Sequence, residues 1–173
     1  MAHDVLVALN ADVVSYSRLL ADDPEHTADA MSAARAIVTE EVSGAGGKLV
    51  NFVGDNFMAV FDECEPAVQT AIAVTNALAT ENVLIPEFRR LRFRMGVDRG
   101  PVHVDSDGNY LGDALNIAAR IQSIARPGGL SVSGEVYRAL DEPALRFHSK
   151  GRQHLKNIPE RIEVFEFLDL PAA

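Results

Sequence analysis

The sequence has 173 residues, of which 47% are hydrophobic, and its 25 acidic and 16 basic residues give a formal net charge of −9. This length and composition predict a single domain over residues 1–173 with a sizeable core. The negative charge repels polyanions, which argues against nucleic acid or an anionic membrane as a partner. The apolar run at residues 5–9 is too short for a signal sequence or membrane span. With one cysteine, Cys64, no internal disulfide can form, and we expect a soluble, cytoplasmic protein.

The hydrophobic periodicity alternates between that of strands and that of helices. A buried strand is expected at 5–11, followed by a helical segment from Val14 to 42, with Pro24 in the first turn of its continuation. The later predicted elements are strands at 48–53, 57–61, 91–97, 102–104, 130–133 and 161–168, and helices at 65–78, 111–125 and 134–140. Gly54-Asp55-Asn56 indicates a hairpin, and Gly100-Pro101 separates two strands. Hairpins favour an α+β sheet covered on one face by helices over a doubly wound parallel sheet.

Two aspartates fall where adjacent strands would end. Asp12 follows the first strand and Asp55 lies on the hairpin. If the strands are neighbours, both carboxylates meet at one edge and can hold Mg²⁺ together with substrate phosphates. The N–H groups of Ser15, Tyr16 and Ser17, at the start of the next helix, suit a phosphate. The alternative is that Asp12 is only an N-cap and Asp55 only a turn residue.

A second polar group lies in Gly112-Asp-Ala-Leu-Asn-Ile-Ala-Ala-Arg120. Asn116 and Arg120 are four residues apart on a predicted helix and therefore share one face. An amide and a guanidinium on a surface of small residues can orient a group and neutralise a developing negative charge. A solvent-facing polar pair on a core helix is the simpler interpretation.

Five motifs in this order resemble the catalytic domain of class III adenylate/guanylate cyclases. They are Ala-Asp-Val-Val-Ser-Tyr-Ser, Gly-Gly-Lys-Leu-Val-Asn-Phe-Val-Gly-Asp, Arg-Met-Gly-Val-Asp-Arg-Gly, Tyr-Leu-Gly-Asp-Ala-Leu-Asn-Ile-Ala-Ala-Arg and Pro-Gly-Gly-Leu-Ser-Val-Ser. The resemblance extends over residues 5–168. It implies a ferredoxin-like (βαββαβ-type) nucleotidyl cyclase fold with helices mainly on one face of the sheet, and conversion of a nucleoside triphosphate to its 3′,5′-cyclic monophosphate and pyrophosphate.

The resemblance also implies a role for each matching residue. Asp12 and Asp55, with the carbonyl of Val13, would hold two Mg²⁺ or Mn²⁺ ions, which assist attack by the ribose 3′-hydroxyl and neutralise the leaving group. Asn116 would orient the ribose, and Arg120 would stabilise the transition state at the α-phosphate. Lys156 falls where a lysine contacts the terminal phosphates, although an exposed solvating lysine is the alternative. The two halves of each site would come from opposite chains of a head-to-tail homodimer.

The sequence departs from the family pattern at three positions. Asn51 stands where adenylate cyclases have a base-reading lysine, and Asn109 where its aspartate or threonine partner lies. Guanylate cyclases have glutamate and a small residue at these positions, so neither pattern is matched. Because a glutamate for guanine is missing, ATP is favoured slightly over GTP. Ser15 replaces a frequent glycine, with little expected consequence unless the position requires a positive φ.

Two classes of function remain open on the sequence. The first is an active nucleotidyl cyclase, favoured because Asp12, Asp55, Asn116 and Arg120 are all present. The second is a weakly active or inactive cyclase-like module that binds nucleotide and dimerises, suggested by Asn51 and Asn109. A diguanylate cyclase is disfavoured because Val53-Gly-Asp-Asn-Phe57 lacks that family's Gly-Gly-Asp-Glu-Phe core.

Overall fold

The computed structural model describes residues 4–171, which form an eight-stranded sheet with five α-helices. The strands are β1 (Asp4–Val13), β2 (Lys48–Val53), β3 (Asn56–Phe61), β4 (Phe93–Val104), β5 (Tyr110–Leu111), β6 (Leu130–Ser133), β7 (Phe147–His154) and β8 (Arg161–Phe167). The helices are α1 (Tyr16–Asp22), α2 (Pro24–Gly44), α3 (Cys64–Glu81), α4 (Asp113–Ile124) and α5 (Gly134–Ala139). The strand order is β2-β3-β1-β4-β6-β8-β7, and β5 pairs with β4.

The central strand β1 is covered by helices on both faces. Its residues alternate, as a pleated strand requires: Val7, Leu9 and Ala11 pack into the core that contains α2 and α3. Ala8 points to the opposite face and packs with residues of α4. Four helices therefore lie on one face and α4 alone on the other, in agreement with the predicted α+β fold with helices mainly on one face.

Both the predicted hairpin and the start of α2 are confirmed. Gly54, at φ 59°, and Asp55 connect β2 to β3, and a positive φ is a conformation that glycine adopts without strain. Pro24 occupies the first turn of α2, where its missing N–H leaves no helical bond unmade. The Asp23 side chain accepts a hydrogen bond from the N–H of His26 at 3.1 Å and so caps this helix.

The predicted break at Gly100-Pro101 is wrong, because β4 continues from Phe93 to Val104. Proline removes a ladder donor, but β4 pairs with β6 only from Met95 to Val97 and with β5 only from His103. Pro101 therefore lies where this side of β4 has no partner strand, and the missing N–H costs no ladder bond there. Sequence periodicity also missed β7, whose residues are mostly exposed and polar.

Helix α4 approaches β4 closely at Gly96. A Cβ atom at this position would lie under 3.0 Å from the carbonyl oxygen of Ala118 and the backbone nitrogen of Gln122. Glycine is thus required for the backbones of strand and helix to meet, which fixes the height of α4 above the sheet. Within residues 4–171, no helix is both long and apolar enough to cross a membrane.

Candidate active site

The carboxyl groups of Asp12 and Asp55 lie together at one end of the sheet. Strands β1 and β3 are antiparallel neighbours, and Asp12 is paired with Asn56, the residue that follows Asp55. Partial burial, the charge of Asp55 and a side-chain hydrogen bond to Asp55 raise the pKa of Asp12 from 3.8 to about 6. Two carboxylates this close repel each other when both are ionised, so a cation between them would relieve the repulsion.

Backbone and amide hydrogen bonds fix this pair. The N–H of Val13 donates to the carbonyl of Asp55 at 3.1 Å, which joins the end of β1 to the hairpin turn. The side chains of Asn10 and Asn56 exchange two hydrogen bonds of 3.4 Å, and Asn10 also donates to the carbonyl of Phe57 at 3.3 Å. These amides, which the sequence analysis did not identify, hold β1 and β3 in the register that places the carboxylates side by side.

Arg94 is a cation whose charge acts on the Asp12 carboxyl. It lies opposite Asp12 on β4 and lowers the pKa of Asp12, against the larger effects of burial and Asp55. Its Nε atom is buried and without a hydrogen-bond partner in the described chain. Arg94 is half-buried because this part of β4 lies inside the sheet.

The turn after the first aspartate contains a strained residue. Ser15 has φ 54° and ψ 37°, in the left-handed region, and its side chain makes no capping hydrogen bond. This position therefore has the positive φ at which a serine, unlike a glycine, is strained. The N–H groups of Tyr16 and Ser17 open α1 and have no acceptor within that helix. The Tyr16 side chain is half-buried and packs against the core.

Replacing Ser15 with glycine should stabilise the protein. A non-glycine residue in this region costs about 1–2 kcal/mol, part of which is offset by the greater chain entropy of glycine. We expect Ser15→Gly to raise the free energy of unfolding by about 0.5–1 kcal/mol, measured by urea denaturation. Ser17→Gly is the matched control: within α1 it should lower stability by about 0.5–1 kcal/mol. If Ser15→Gly is less stable than the native chain, the inference that the Ser15 backbone is strained is wrong.

Asn116 and Arg120 border a second part of the candidate site. They lie on α4 and line a cleft of about 500 Å³ together with residues 157–160. Asn116 is exposed and Arg120 is half-buried. The exposed Lys156 immediately precedes the loop that forms the opposite wall. The fold thus brings Asn116, Arg120 and the loop beside Lys156 to one cleft, which Asp12 and Asp55 do not line.

Strand β2, which carries Asn51, and strand β5, which Asn109 immediately precedes, both contribute to the face of the sheet occupied by α4. Val50 and Tyr110, the direct neighbours of these asparagines, pack against the same apolar cluster. The ammonium of Lys48 lies 5.0 Å from the centre of the Tyr110 ring. Both asparagine side chains are exposed, so each is accessible to a ligand.

The amide of Asn109 is held by an acid that the sequence analysis did not identify. Asn109 donates from Nδ2 to Oδ2 of Asp105 at 3.0 Å, and its N–H donates to Oδ1 at 2.9 Å. These bonds lower the pKa of Asp105. Rotating the amide would turn Oδ1 of Asn109 against a carboxylate, so this oxygen is kept as an acceptor directed away from Asp105.

The donor set at the carboxylate pair fits a hard divalent cation. Within residues 4–171, no three His, Cys, Asp or Glu side chains group closely enough to hold a metal ion. Mg²⁺ commonly binds through one or two carboxylates and takes its other ligands from water and phosphates. Asp12 and Asp55 are therefore sufficient on the protein side if a phosphorylated ligand completes the coordination.

The fold matches that of solved class III cyclase domains. The chain is similar to an adenylate/guanylate cyclase/hydrolase from Silicibacter pomeroyi, with 30% identity, a TM-score of 0.86 and full coverage of both chains. It also resembles the guanylate cyclase domain of a Catenaria anguillulae protein solved in complex with GTP, at 15% identity and a TM-score of 0.82, over 99% of this chain and 100% of that one. The second likeness concerns the fold alone.

The sequence comparison identifies the family. The model of the adenylate and guanylate cyclase catalytic domain matches residues 2–168, and the chain belongs to this family. A Rhizobium meliloti protein that is assigned by name to the adenylate cyclases is 32% identical over 159 residues. That alignment covers 91% of this chain but 27% of the relative, so the chain spans about a quarter of that protein's length.

Proposed function

We propose that this chain is a nucleotidyl cyclase domain that converts ATP to 3′,5′-cyclic AMP and pyrophosphate. The observation that carries the proposal is the contact between the Asp12 and Asp55 carboxyls, which leaves a cation-binding pair at the sheet edge. The reaction breaks the bond between the α-phosphorus and the bridging oxygen and forms a bond from the ribose 3′-oxygen. The 3′-hydroxyl proton leaves to solvent or a nearby base.

In this proposal, Asp12, Asp55 and the carbonyl of Val13 bind two Mg²⁺ or Mn²⁺ ions per site. When bound, such ions supply charge neutralisation at the phosphates and increase the acidity of the 3′-hydroxyl. The N–H groups of Ser15, Tyr16 and Ser17 line the adjacent turn and are directed to the phosphate chain.

The second group of residues acts on the nucleotide. Asn116 hydrogen-bonds the ribose and limits its rotation, which holds the 3′-oxygen in line with the α-phosphorus. Arg120 donates to the α-phosphate oxygens as negative charge increases in the transition state. Lys156 contacts the terminal phosphates from the facing loop.

We further propose that each site is composed of two chains in a head-to-tail homodimer. The support is geometric: the cleft that contains Asn116 and Arg120 has neither carboxylate in its lining. A second copy placed with its Asp12 and Asp55 over this cleft would complete the site. By symmetry, the same contact would form a second site.

The contact between Asn109 and Asp105 supports ATP as the substrate. The purine ring differs at position 6, where adenine has an amino donor and guanine has a carbonyl acceptor. If Asn109 faces this position, its fixed Oδ1 accepts from adenine and opposes guanine. Asn51, on β2, supplies an amide that can donate to the ring nitrogen beside this position.

Removing Asp105 should weaken the preference between nucleotides. In Asp105→Ala the amide of Asn109 is free to rotate and to donate to guanine. We expect the ratio of kcat/KM for ATP to that for GTP to fall about tenfold, the value of one hydrogen bond. Asp107→Ala is the matched control, since Asp107 lies in the same loop and only its backbone N–H, which alanine retains, bonds to Asp105, while the Asn109 amide bonds to Asp105. If the ratio of kcat/KM for ATP to that for GTP is unchanged in Asp105→Ala, Asn109 does not select the base in the proposed way.

Metal binding should depend on pH through Asp12. Without metal, the raised pKa means that stability falls as pH rises from 3.8 to about 6, because the folded state retains the proton that the unfolded chain releases. Mn²⁺ binds the ionised pair and should therefore raise Tm at pH 7.5 but have little effect at pH 5. Asp12→Asn should abolish the Mn²⁺ shift at both pH values, as followed by calorimetry. Equal shifts at both pH values would refute this site.

The activity itself is tested by incubating the purified chain with ATP or GTP and Mg²⁺ or Mn²⁺ and quantifying cyclic nucleotide. Asp55→Ala is the control, and light scattering confirms a dimer under the assay conditions. Product from the native chain well above the control supports the cyclase. If the native dimer gives no more product than Asp55→Ala, the second candidate applies, a cyclase-like module that binds nucleotide and dimerises with little or no turnover.

A further inference from the structure

A cavity of about 330 Å³ lies apart from the proposed active-site residues. It is enclosed by the C-terminal part of α3, the segment that follows this helix and the beginning of β4. Its apolar walls include Leu78, Ala79, Val83 and Phe93. The volume is at the lower end of the range for small-molecule sites, about 300–1,000 Å³.

Two guanidinium groups also line this apolar cavity. Arg90 donates from Nε to the carbonyl of Ile85 at 2.9 Å and forms no ion pair with a residue of the described range 4–171. Arg92 is half-buried, and its Nε is fully shielded and lacks a hydrogen-bond partner in the same range. A buried donor without a partner is costly and rare in folded proteins. Because this nitrogen is shielded, a molecule in the cavity would meet other atoms of the Arg92 guanidinium.

The cavity is connected to both strands that carry the candidate metal ligands. The carbonyl of Arg92 accepts from the N–H of Val14 at 2.9 Å, two residues after Asp12. The ring of Phe93 packs edge-on against the ring of Phe57, with 5.3 Å between the ring centres, and Phe57 lies two residues after Asp55. A molecule in the cavity would therefore contact residues that position the ends of β1 and β3.

We propose that this cavity binds an amphipathic monoanion, that is, a carboxylate on a compact apolar body. The carboxylate accepts from the guanidinium groups of Arg90 and Arg92 that line the cavity, and the apolar body packs against its apolar walls. Charge complementarity selects the anion, since the lining includes two arginines and no acidic residue. The small volume and apolar walls exclude a nucleotide, whose polar sugar and phosphates would lose hydration without compensation.

Octanoate is a suitable probe, used below the concentration at which it forms micelles, with binding followed by isothermal titration calorimetry on the intact chain. We expect saturable binding at one site per chain, and at least tenfold weaker binding of 1-octanol, which lacks the charge. Arg92→Gln should weaken octanoate binding about tenfold or more, the effect of losing one charge-assisted hydrogen bond. Arg138→Gln, which removes an exposed arginine on α5, should leave the affinity unchanged.

A second variant tests the cavity independently of the charge. Ala79→Met extends a side chain into the space and should reduce octanoate binding while circular dichroism shows a folded protein. Binding that survives in both Arg92→Gln and Ala79→Met would place octanoate elsewhere on the surface and overturn the proposal. Equal affinity for octanoate and 1-octanol, or no saturable binding by the native chain, would also overturn it. None of these measurements depends on cyclase activity.

Discussion

Mixing two inactive variants should restore cyclase activity. Asp12→Ala removes a proposed metal ligand and Arg120→Ala removes the cation proposed to stabilise the transition state, so each homodimer should lose about 10²–10³-fold or more in kcat. In a heterodimer both lesions fall in one site, and the other site is intact. Random exchange should therefore recover roughly one quarter of the native activity, because half of the dimers are mixed and each has one working site. The measurement is cyclic AMP production after co-incubation.

The matched control is a mixture of Asp12→Ala with Asp55→Ala. Both lesions lie in the metal half, so every site in every dimer is damaged and no activity should return. If the Asp12→Ala and Arg120→Ala mixture stays inactive although mass spectrometry shows exchanged chains, the site is not shared between chains. That outcome would contradict the proposal that each site is shared between two chains, but it would not affect the fold or the pairing of Asp12 with Asp55.

Gly96→Ala should be the most damaging small substitution on β4. The added methyl group would meet the backbone of α4 at Ala118 and Gln122, which cannot move aside as a side chain can. We expect the free energy of unfolding to fall by about 1–3 kcal/mol, measured by urea denaturation. Displacement of α4 would also move Asn116 and Arg120 out of position, so kcat should fall further than the folded fraction does.

Gly100→Ala is the control for this substitution. It lies on the same strand beneath the same helix, but its Cβ would be 3.6 Å from the Cβ of Ala114, an ordinary contact. We expect a stability change within about 0.5 kcal/mol and nearly native turnover. If the two variants behave alike, the close approach at Gly96 does not set the position of α4.

Arg92 links the cavity to the turn that follows β1. The carbonyl of Arg92 accepts a hydrogen bond from the N–H of Val14, just after β1, and the side chain of Arg92 lines the cavity. A ligand that stabilises one position of Arg92 would also affect the turn that contains Ser15. If octanoate changes the affinity for Mn²⁺ in this way, thermodynamic linkage requires Mn²⁺ to change the affinity for octanoate by the same factor.

Strong local signals in the sequence are sufficient to predict several elements of the fold. The hairpin at Gly54, the proline at the start of α2 and the apolar alternation of β1 follow from turn geometry, helix capping and the period of two in strands. The ordered motifs were sufficient to select the family. Weak local signals failed: β7 is polar and exposed, and Pro101 breaks a strand only where a ladder bond would be lost.

Features that depend on contacts between distant segments become visible in the folded chain alone. No periodicity indicates that Arg94 is shielded beside Asp12, that Asp105 fixes the amide of Asn109, or that Ser15 lies at φ 54°. The left-handed turn follows from the need to connect β1 to α1 in little space. Burial and hydrogen-bond partners are properties of the packed chain, and therefore the sequence named the candidate carboxylates but not the groups that orient and tune them.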